Sequence, residues 1–378
     1  MRRSSRILVL MTAVATTIVG AGSPASAARV CDSTFHHTAS PDGPGKTVLY
    51  DVDAAAPSDA WAVGLQRRAA LSLHWDGSRW HTVPVPAFGT RSHLTAVAMA
   101  GPHDVWAVGL FEDSRGRQHS LVLHRTTGAW TRVASPDGPV DTDLDEISVV
   151  APNDIWAAGT ITGSRSHRAF VIHWNGVDWQ TVAGPAAIGR ENHVEGLAAV
   201  GRDDVWVVVQ YLKNHHDRAT TFHWNGDTWR RVDFPQAADT DTLPLALLGL
   251  GPSSLWMVGY TEGQPLPTPL LMHWNGSRWV PFDGVRLSDP LFLTALAALG
   301  PHGVYAFGAY DEGSNRYMFA ERFDGRRWTR VPMQAPSSSD YNWLLGAAGT
   351  TAGSVERVWA VGSSSPDRTV PLIEQSCP

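Results

Sequence analysis

A chain of 378 residues with 36 acidic residues and 30 Lys or Arg carries a formal charge of −6. That balance argues against non-specific binding to nucleic acid, which needs clustered positive charge. The 2 cysteines form no zinc-type Cys/His spacing, and no segment beyond the N-terminus is long and apolar enough to span a bilayer, so neither a metal, another cofactor nor a membrane span is implied.

Residues 1–27 read as an export signal. Arg2, Arg3 and Arg6 precede an apolar run from Ile7 to Gly20, and Ala25-Ser26-Ala27 supplies the small residues of a cleavage site. Loss of the three arginines takes the formal charge from −6 to −9. The expectation is a secreted, extracellular protein whose residues 28–378 form one domain. In that setting an even pair of cysteines, Cys31 and Cys377, reads as a disulfide.

The body of the chain repeats. Trp61, Trp106, Trp156, Trp206, Trp256, Tyr305 and Trp359 recur about every 50 residues in contexts such as Asp-Val-Trp-Ala-Val-Gly at 104–109. Trp80, Trp130, Trp179, Trp229, Trp279 and Trp328 follow in alternation, most of them after His-Trp-Asn/Asp-Gly. Each repeat holds four short alternating runs separated by turn residues, which predicts a four-stranded antiparallel sheet. Such a sheet buries both faces only against neighbours. The first run is rich in Ala and Gly, as suits an innermost strand, and the large indoles suit the wider space between sheets. Each Trp buries on the order of 200 Å². The prediction is an all-β, seven-bladed β-propeller.

The ends of the chain predict how the ring closes. Phe35 to Pro44 aligns without gaps with Trp130 to Pro139, so Phe35 takes the place of an outer-strand Trp. Val370 to Glu374 aligns with Thr268 to Met272, a third strand, and no fourth strand follows. The N-terminal segment therefore supplies the last outer strand. Cys31 and Cys377 both fall on the register of Asn275, which brings them together where the chain would otherwise be continuous.

Connections within the first and second strand pair, and within the third and fourth, are short and uniform. The opposite face carries the varied connections: those joining second to third strands, such as Gln210–Arg218 and Ala309–Arg316, and the links between blades. Variable loops on a rigid scaffold suit recognition. Links bear acids, including Asp137, Asp141 and Asp241, and the other connections bear Arg117, Arg168, Arg218 and Arg316. An acidic inner ring within a basic outer one is expected there.

His74, His124, His173, His223 and His273 recur once per repeat, which marks them as framework. Asn275-Gly-Ser fits a glycosylation sequon but occupies the repeat's tight turn. The candidate ligand residues are His93, Asp143, His193 and Asn342 before inner strands, with Tyr260 and Tyr310 near the second-to-third connections. Polar groups beside aromatic rings suit a sugar. No nucleophile elbow or phosphate loop occurs.

The Val-Trp-x-Val strand followed by Gly-x-x-Trp resembles secreted propellers of actinobacterial type and the tectonin group of propeller lectins. That resemblance covers the mature chain. It implies a lectin-like, non-catalytic binder of a cell-surface glycan or a secreted protein partner, similar to the targeting subunits of secreted toxin complexes. The alternative is an extracellular lyase or hydrolase with its site at the channel mouth, around His93, Asp143 and His193.

A disulfide spanning nearly the whole chain restricts the unfolded state by roughly 5 kcal/mol at most on loop-closure entropy. Reductant is expected to lower the melting temperature markedly; an unchanged melting curve contradicts the Cys31–Cys377 bond.

Overall fold

The computed structural model describes residues 34–41, 46–164, 166–263, 265–300, 303–334, 341–353, 355–365 and 370–376. Residues 1–27, expected to be an export signal, and Cys31 and Cys377 lie outside them. Among the described residues no α-helix occurs, and no helix is long and apolar enough to cross a membrane.

Antiparallel units follow one another along the chain. Unit A spans strands from Thr47 to Thr82, B from Arg91 to Arg132, C from Asp141 to Val182 and D from Arg190 to Val232. Unit E runs from Asp241 to Pro281 and F from Leu291 to Arg330. Unit G takes Tyr341–Ala352, Val355–Ser365 and Val370–Ser376 from the C-terminus. Its outer strand is Phe35–His37, with Phe35 opposite Ser376 and His37 opposite Glu374. Units F and G share one sheet through a single parallel pair, Arg316 with Tyr341. The first strands pack in a closed circuit from A through G, and Tyr341–Ala352 of G returns to Thr47–Ala56 of A.

A bulge in the first strand explains the recurring glycine of the second. Pairing skips one residue after Leu49, Leu94, Val194, Pro244, Leu293 and Leu344. The skipped residues are Tyr50, Thr95, Glu195, Leu245, Thr294 and Leu345, and Asp145 holds this place in unit C. A Cβ on Gly64, opposite Leu49, would lie 2.0 Å from the Val48 carbonyl oxygen, so only glycine lets the bulged strand approach. Unit D departs from this, with Val209 opposite Val194. Gly346 is needed for a different reason: its Cβ would lie 2.5 Å from the Asp51 Cα, where unit G meets unit A.

The framework histidines tie each unit internally. His74, His124, His173 and His223 contact Asp59, Asp104, Asp154 and Asp204 at 2.7–2.9 Å through Nε2. Each lies flat on its unit's Trp, with His124 and Trp106 centroids 3.9 Å apart. In unit E, Ser254 stands in the Asp place and meets His273 at 3.2 Å. Asn275 also acts locally, its side-chain oxygen accepting the amides of Ser277 and Arg278 at 3.0 Å. Between units, indoles meet edge-to-face: Trp61 with Trp130 at 5.5 Å, Trp106 with Trp179 at 5.7 Å and Trp256 with Trp328 at 5.2 Å.

Phe35 occupies the same place at the F–G junction. It is fully buried and meets Tyr305 edge-on at 6.0 Å and Phe307 at 5.1 Å. Its amide donates to the Pro332 carbonyl (3.0 Å), and its own carbonyl accepts from Gln334 (2.9 Å). The strand is thus held on both edges.

The second-to-third connections differ from the expected loops. Gln210–Arg218 is the tip of a hairpin that stays paired to Lys213 with His216. Asn214 and His215, at φ 53° and 67°, make a two-residue turn of the mirror-image type that matches strand twist. Ala309–Arg316 likewise stays paired to Glu312 with Asn315. Continued pairing satisfies backbone groups that a loop would leave to solvent.

Removing the Phe35 ring empties a fully packed junction. Phe35→Ala is expected to cost about 3–5 kcal/mol of unfolding free energy, read by chemical denaturation. A loss within experimental error contradicts the closure.

Candidate functional site: an acidic channel and its mouth

First strands leave one edge facing the centre, so their amides need partners from elsewhere. Neighbouring units supply them. Asp51 accepts from the Val97 amide (2.9 Å) and Asp53 from Met99 (2.7 Å), tying A to B. Ser148 accepts from Ala199 (3.0 Å), tying C to D. The Thr95 hydroxyl at the bulge donates to the Leu144 carbonyl (2.6 Å). These side chains line a central cavity of about 590 Å³ walled mainly by Ala, Val and Leu. Burial pushes the Asp51 carboxyl up to about 7, and neighbouring Asp53 adds to the shift.

At units C and D the channel opens into a second pocket of about 300 Å³. Asp143, Asp145, Glu146 and Thr160 come from unit C, His193, Val194 and Glu195 from D, and Leu245 from E. Asp143 accepts the Thr160 amide at 2.8 Å. His193 Nε2 lies 2.8 Å from His167 Nδ1, so one imidazole donates and the other accepts. Burial, then the neighbouring His167, lowers the proton affinity of His193. Asp145, Glu146 and Glu195 have no hydrogen-bond partner among the described residues. Burial raises all three, and each feels nearby acids: Asp143 and Glu195 act on Asp145, Asp51 and Asp145 on Glu146, and Asp217 on Glu195. Glu195 is pushed up to about 7. Among the described residues no set of His, Cys, Asp or Glu is arranged to hold a metal ion.

Of the residues singled out from sequence, the structure brings only Asp143 and His193 into this pocket. His93 lies on another unit beside the Tyr50 ring (5.9 Å), its Nδ1 enclosed without a partner and its affinity lowered to about 4 by burial and Arg91. Asn342 is buried and donates to the Arg316 carbonyl at 3.3 Å, so it holds the framework and does not face the mouth. Tyr260 packs edge-on against Phe292 at 4.9 Å. Tyr310 lies in a separate cavity of about 400 Å³ with Tyr317 and Arg330.

The expected rings of opposite charge clamp each other. Arg117 meets Asp137 at 3.4 Å, His119 meets it at 2.6 Å, and His216 meets Asp241 at 2.9 Å. Arg218 donates to the Ala237 and Thr240 carbonyls of its link. Arg316 pairs with Asp311 through two bonds of 2.5 and 2.6 Å and lies 4.0 Å over Trp343. These charges fasten hairpins to links because each sits against the other at short range.

The acids Asp145, Glu146 and Glu195 were not singled out from sequence. Their signal is positional: Asp145 and Glu195 sit at the bulge, where other units carry Tyr, Thr or Leu, and Glu146 follows it.

No protein-family model matches the chain, and no curated protein matches it in sequence. Solved structures do. YCF48 bound to a D1 peptide aligns with a TM-score of 0.55 at 15% identity, covering 91% of this chain and 97% of that one. A polysaccharide lyase of family PL25, an ulvan lyase bound to -[GlcA(1-4)Rha3S]-, gives 0.55 at 10% identity over 87% and 94%. The GH74 xyloglucanase from Xanthomonas campestris gives 0.55 at 14% identity over 89% of this chain and 55% of its own. These neighbours are β-propellers, and the likeness carries the fold: this chain is a β-propeller of four-stranded antiparallel sheets.

Asp51, Asp53, Asp143, Asp145, Glu146, Glu195, Glu321 and Glu374 are all held above the ordinary carboxylate range, chiefly by burial. The folded chain thus keeps protons that the unfolded chain releases. While His93, His193 and His273, whose proton affinity burial lowers, oppose them below about 6.5, these acids add stability as pH falls from above 7 toward about 4, the ordinary carboxylate value. Below that, Asp76, Asp113 and Asp324, held low by hydrogen bonds to their charged forms, reverse the trend. Urea unfolding at about pH 8.5 and about pH 7, above the range where these histidines titrate, is expected to give the larger stability at the lower pH. Glu321→Gln, which neutralises one buried carboxyl whose Oε1 lacks a partner, is expected to shrink that difference. Equal stabilities at both pH values contradict the buried acids.

Proposed function

We propose that this chain is a secreted seven-bladed β-propeller acting as a non-catalytic recognition module, which binds a glycan at the channel mouth between units C and D. One observation carries the reading: a pocket of about 300 Å³ on a rigid frame where carboxyls without internal partners stand beside a histidine pair. Such groups accept from the hydroxyls of a sugar, and His193 adds a donor or acceptor according to its tautomer. By analogy, proteins of the same fold hold such ligands: the ulvan lyase carries a bound saccharide and YCF48 a bound peptide. Export through residues 1–27 and a Cys31–Cys377 bond belong to the same proposal. The pairing of Phe35 with Ser376 supports that bond, because each cysteine stands close in sequence to one of the two.

A second reading, a lyase or hydrolase, draws on two groups of the same pocket. Glu195 is pushed up to about 7 and the affinity of His193 is lowered, so a proton donor and an acceptor line one pocket.

A glycan array combined with a polysaccharide degradation assay separates the two. The recognition reading expects binding that Glu195→Gln weakens, with no new reducing ends or unsaturated products. Turnover abolished by Glu195→Gln replaces it with the enzyme reading, and an absence of any bound glycan removes it.

A further inference from the structure

We propose that the mouth pocket selects glycans bearing a protonated amine, that is, an unacetylated amino sugar; this rests on the glycan reading of the same site.

The pocket lining contains four carboxyls and neither lysine nor arginine. Asp145, Glu146 and Glu195 are half-buried, line the pocket and accept no hydrogen bond among the described residues. Carboxyls crowded this closely favour a cation over a neutral partner, because each raises the cost of ionising the others. The other charged groups nearby add to the demand for a cation. Asp217 faces Glu195 from the third strand of D, and Asp51 faces Glu146 from unit A. Glu191 and Asp217 act on His193, while Asp141 and His167 act on Asp143. Among the described residues no Lys or Arg acts on Asp143, Asp145, Glu146, Glu195 or His193, and Arg316, which acts on Tyr260, is committed to Asp311.

Hydroxyls alone leave these carboxyls protonated and give nothing for ionising them. An ammonium group supplies a compact positive charge and three donors on a ring whose hydroxyls reach Thr160 and the histidine pair. An N-acetyl group supplies no charge and one donor in place of three, and it adds bulk. A negatively charged sugar is repelled.

Binding a cation favours the ionised carboxyls, so the pocket releases protons as the ligand enters, and affinity rises with pH through about 7.

The test uses the full secreted chain, an oligomer of glucosamine and its N-acetylated counterpart, titrated calorimetrically in two buffers of different ionisation heat. The glucosamine oligomer is expected to bind at least about tenfold tighter than the acetylated one, with a buffer-dependent heat that reports proton release. Glu195→Gln and Asp145→Asn are expected to weaken that binding. Their melting temperatures stay unchanged or rise at neutral pH, because each removes a half-buried carboxyl that no group among the described residues bonds and that neighbouring acids disfavour when ionised, so a loss of affinity is not a loss of fold. Equal or tighter binding of the acetylated oligomer overturns the inference, as does glucosamine binding indifferent to both substitutions. On a wider array, binding confined to neutral or acidic glycans leaves the recognition reading standing and overturns the amine preference. Failure of every glycan overturns both.

Discussion

Three residues at the N-terminus hold the ring together. Phe35–His37 pairs with Val370–Ser376 on one edge, and Phe35 exchanges backbone hydrogen bonds with Pro332 and Gln334 on the other. In a radial stack each unit contacts only its neighbours, so nothing far away compensates if one junction opens. The F–G junction is where the two ends of the chain meet. Phe35 fills it as an indole fills the junctions at Trp130, Trp179, Trp279 and Trp328. Closure therefore fixes the geometry of every first strand, and with it the channel.

The channel inherits its chemistry from that geometry. A bulge in each first strand turns one residue out of the pairing pattern, and what occupies the bulge differs from unit to unit. Thr95 and Thr294 use it to bond the carbonyls of Leu144 and Leu344 in the next unit. Asp145 and Glu195 put a carboxyl there and find no such partner. Two neighbouring units thus carry acids where Thr95 and Thr294 bond onward, and both acids line the mouth pocket. Local departures of this kind concentrate where a protein works, and the rest of the fold offsets their cost. The offset is visible in the Asp–His–Trp ties and the edge-to-face indoles, which recur from unit to unit.

Much of the fold was legible in the sequence because repetition amplifies weak signals. A single Asp-Val-Trp-Ala-Val-Gly says little; its recurrence locates the second strand of each sheet, and the alignment of Phe35 with Trp130 places the N-terminal strand. The framework role of His74, His124, His173, His223 and His273 was legible for the same reason. The site was less so. Asp143 and His193 were singled out, but as residues preceding strands, and His93 and Asn342 with them. The structure brings Asp143 and His193 into one pocket and leaves His93, on another unit, and Asn342 out of it. His93 and His193 lie within strands, and the Asn342 amide is spent on the Arg316 carbonyl. The hairpin tips were misread as loops because polar residues such as Asn214 and His215 mark a two-residue turn as readily as a longer connection. Asp145 and Glu195 stayed hidden because a bulge is a property of register, which one strand alone does not display.

Hydrogen exchange under native conditions reads the closure most directly. If Phe35–His37 completes the ring, amides of the 35–38 segment and of Val370–Ser376 exchange as slowly as those of the second strands, through the same cooperative opening. Fast exchange of the 35–38 amides beside a protected remainder would show that the wheel stands without that strand, and would contradict the account at its base.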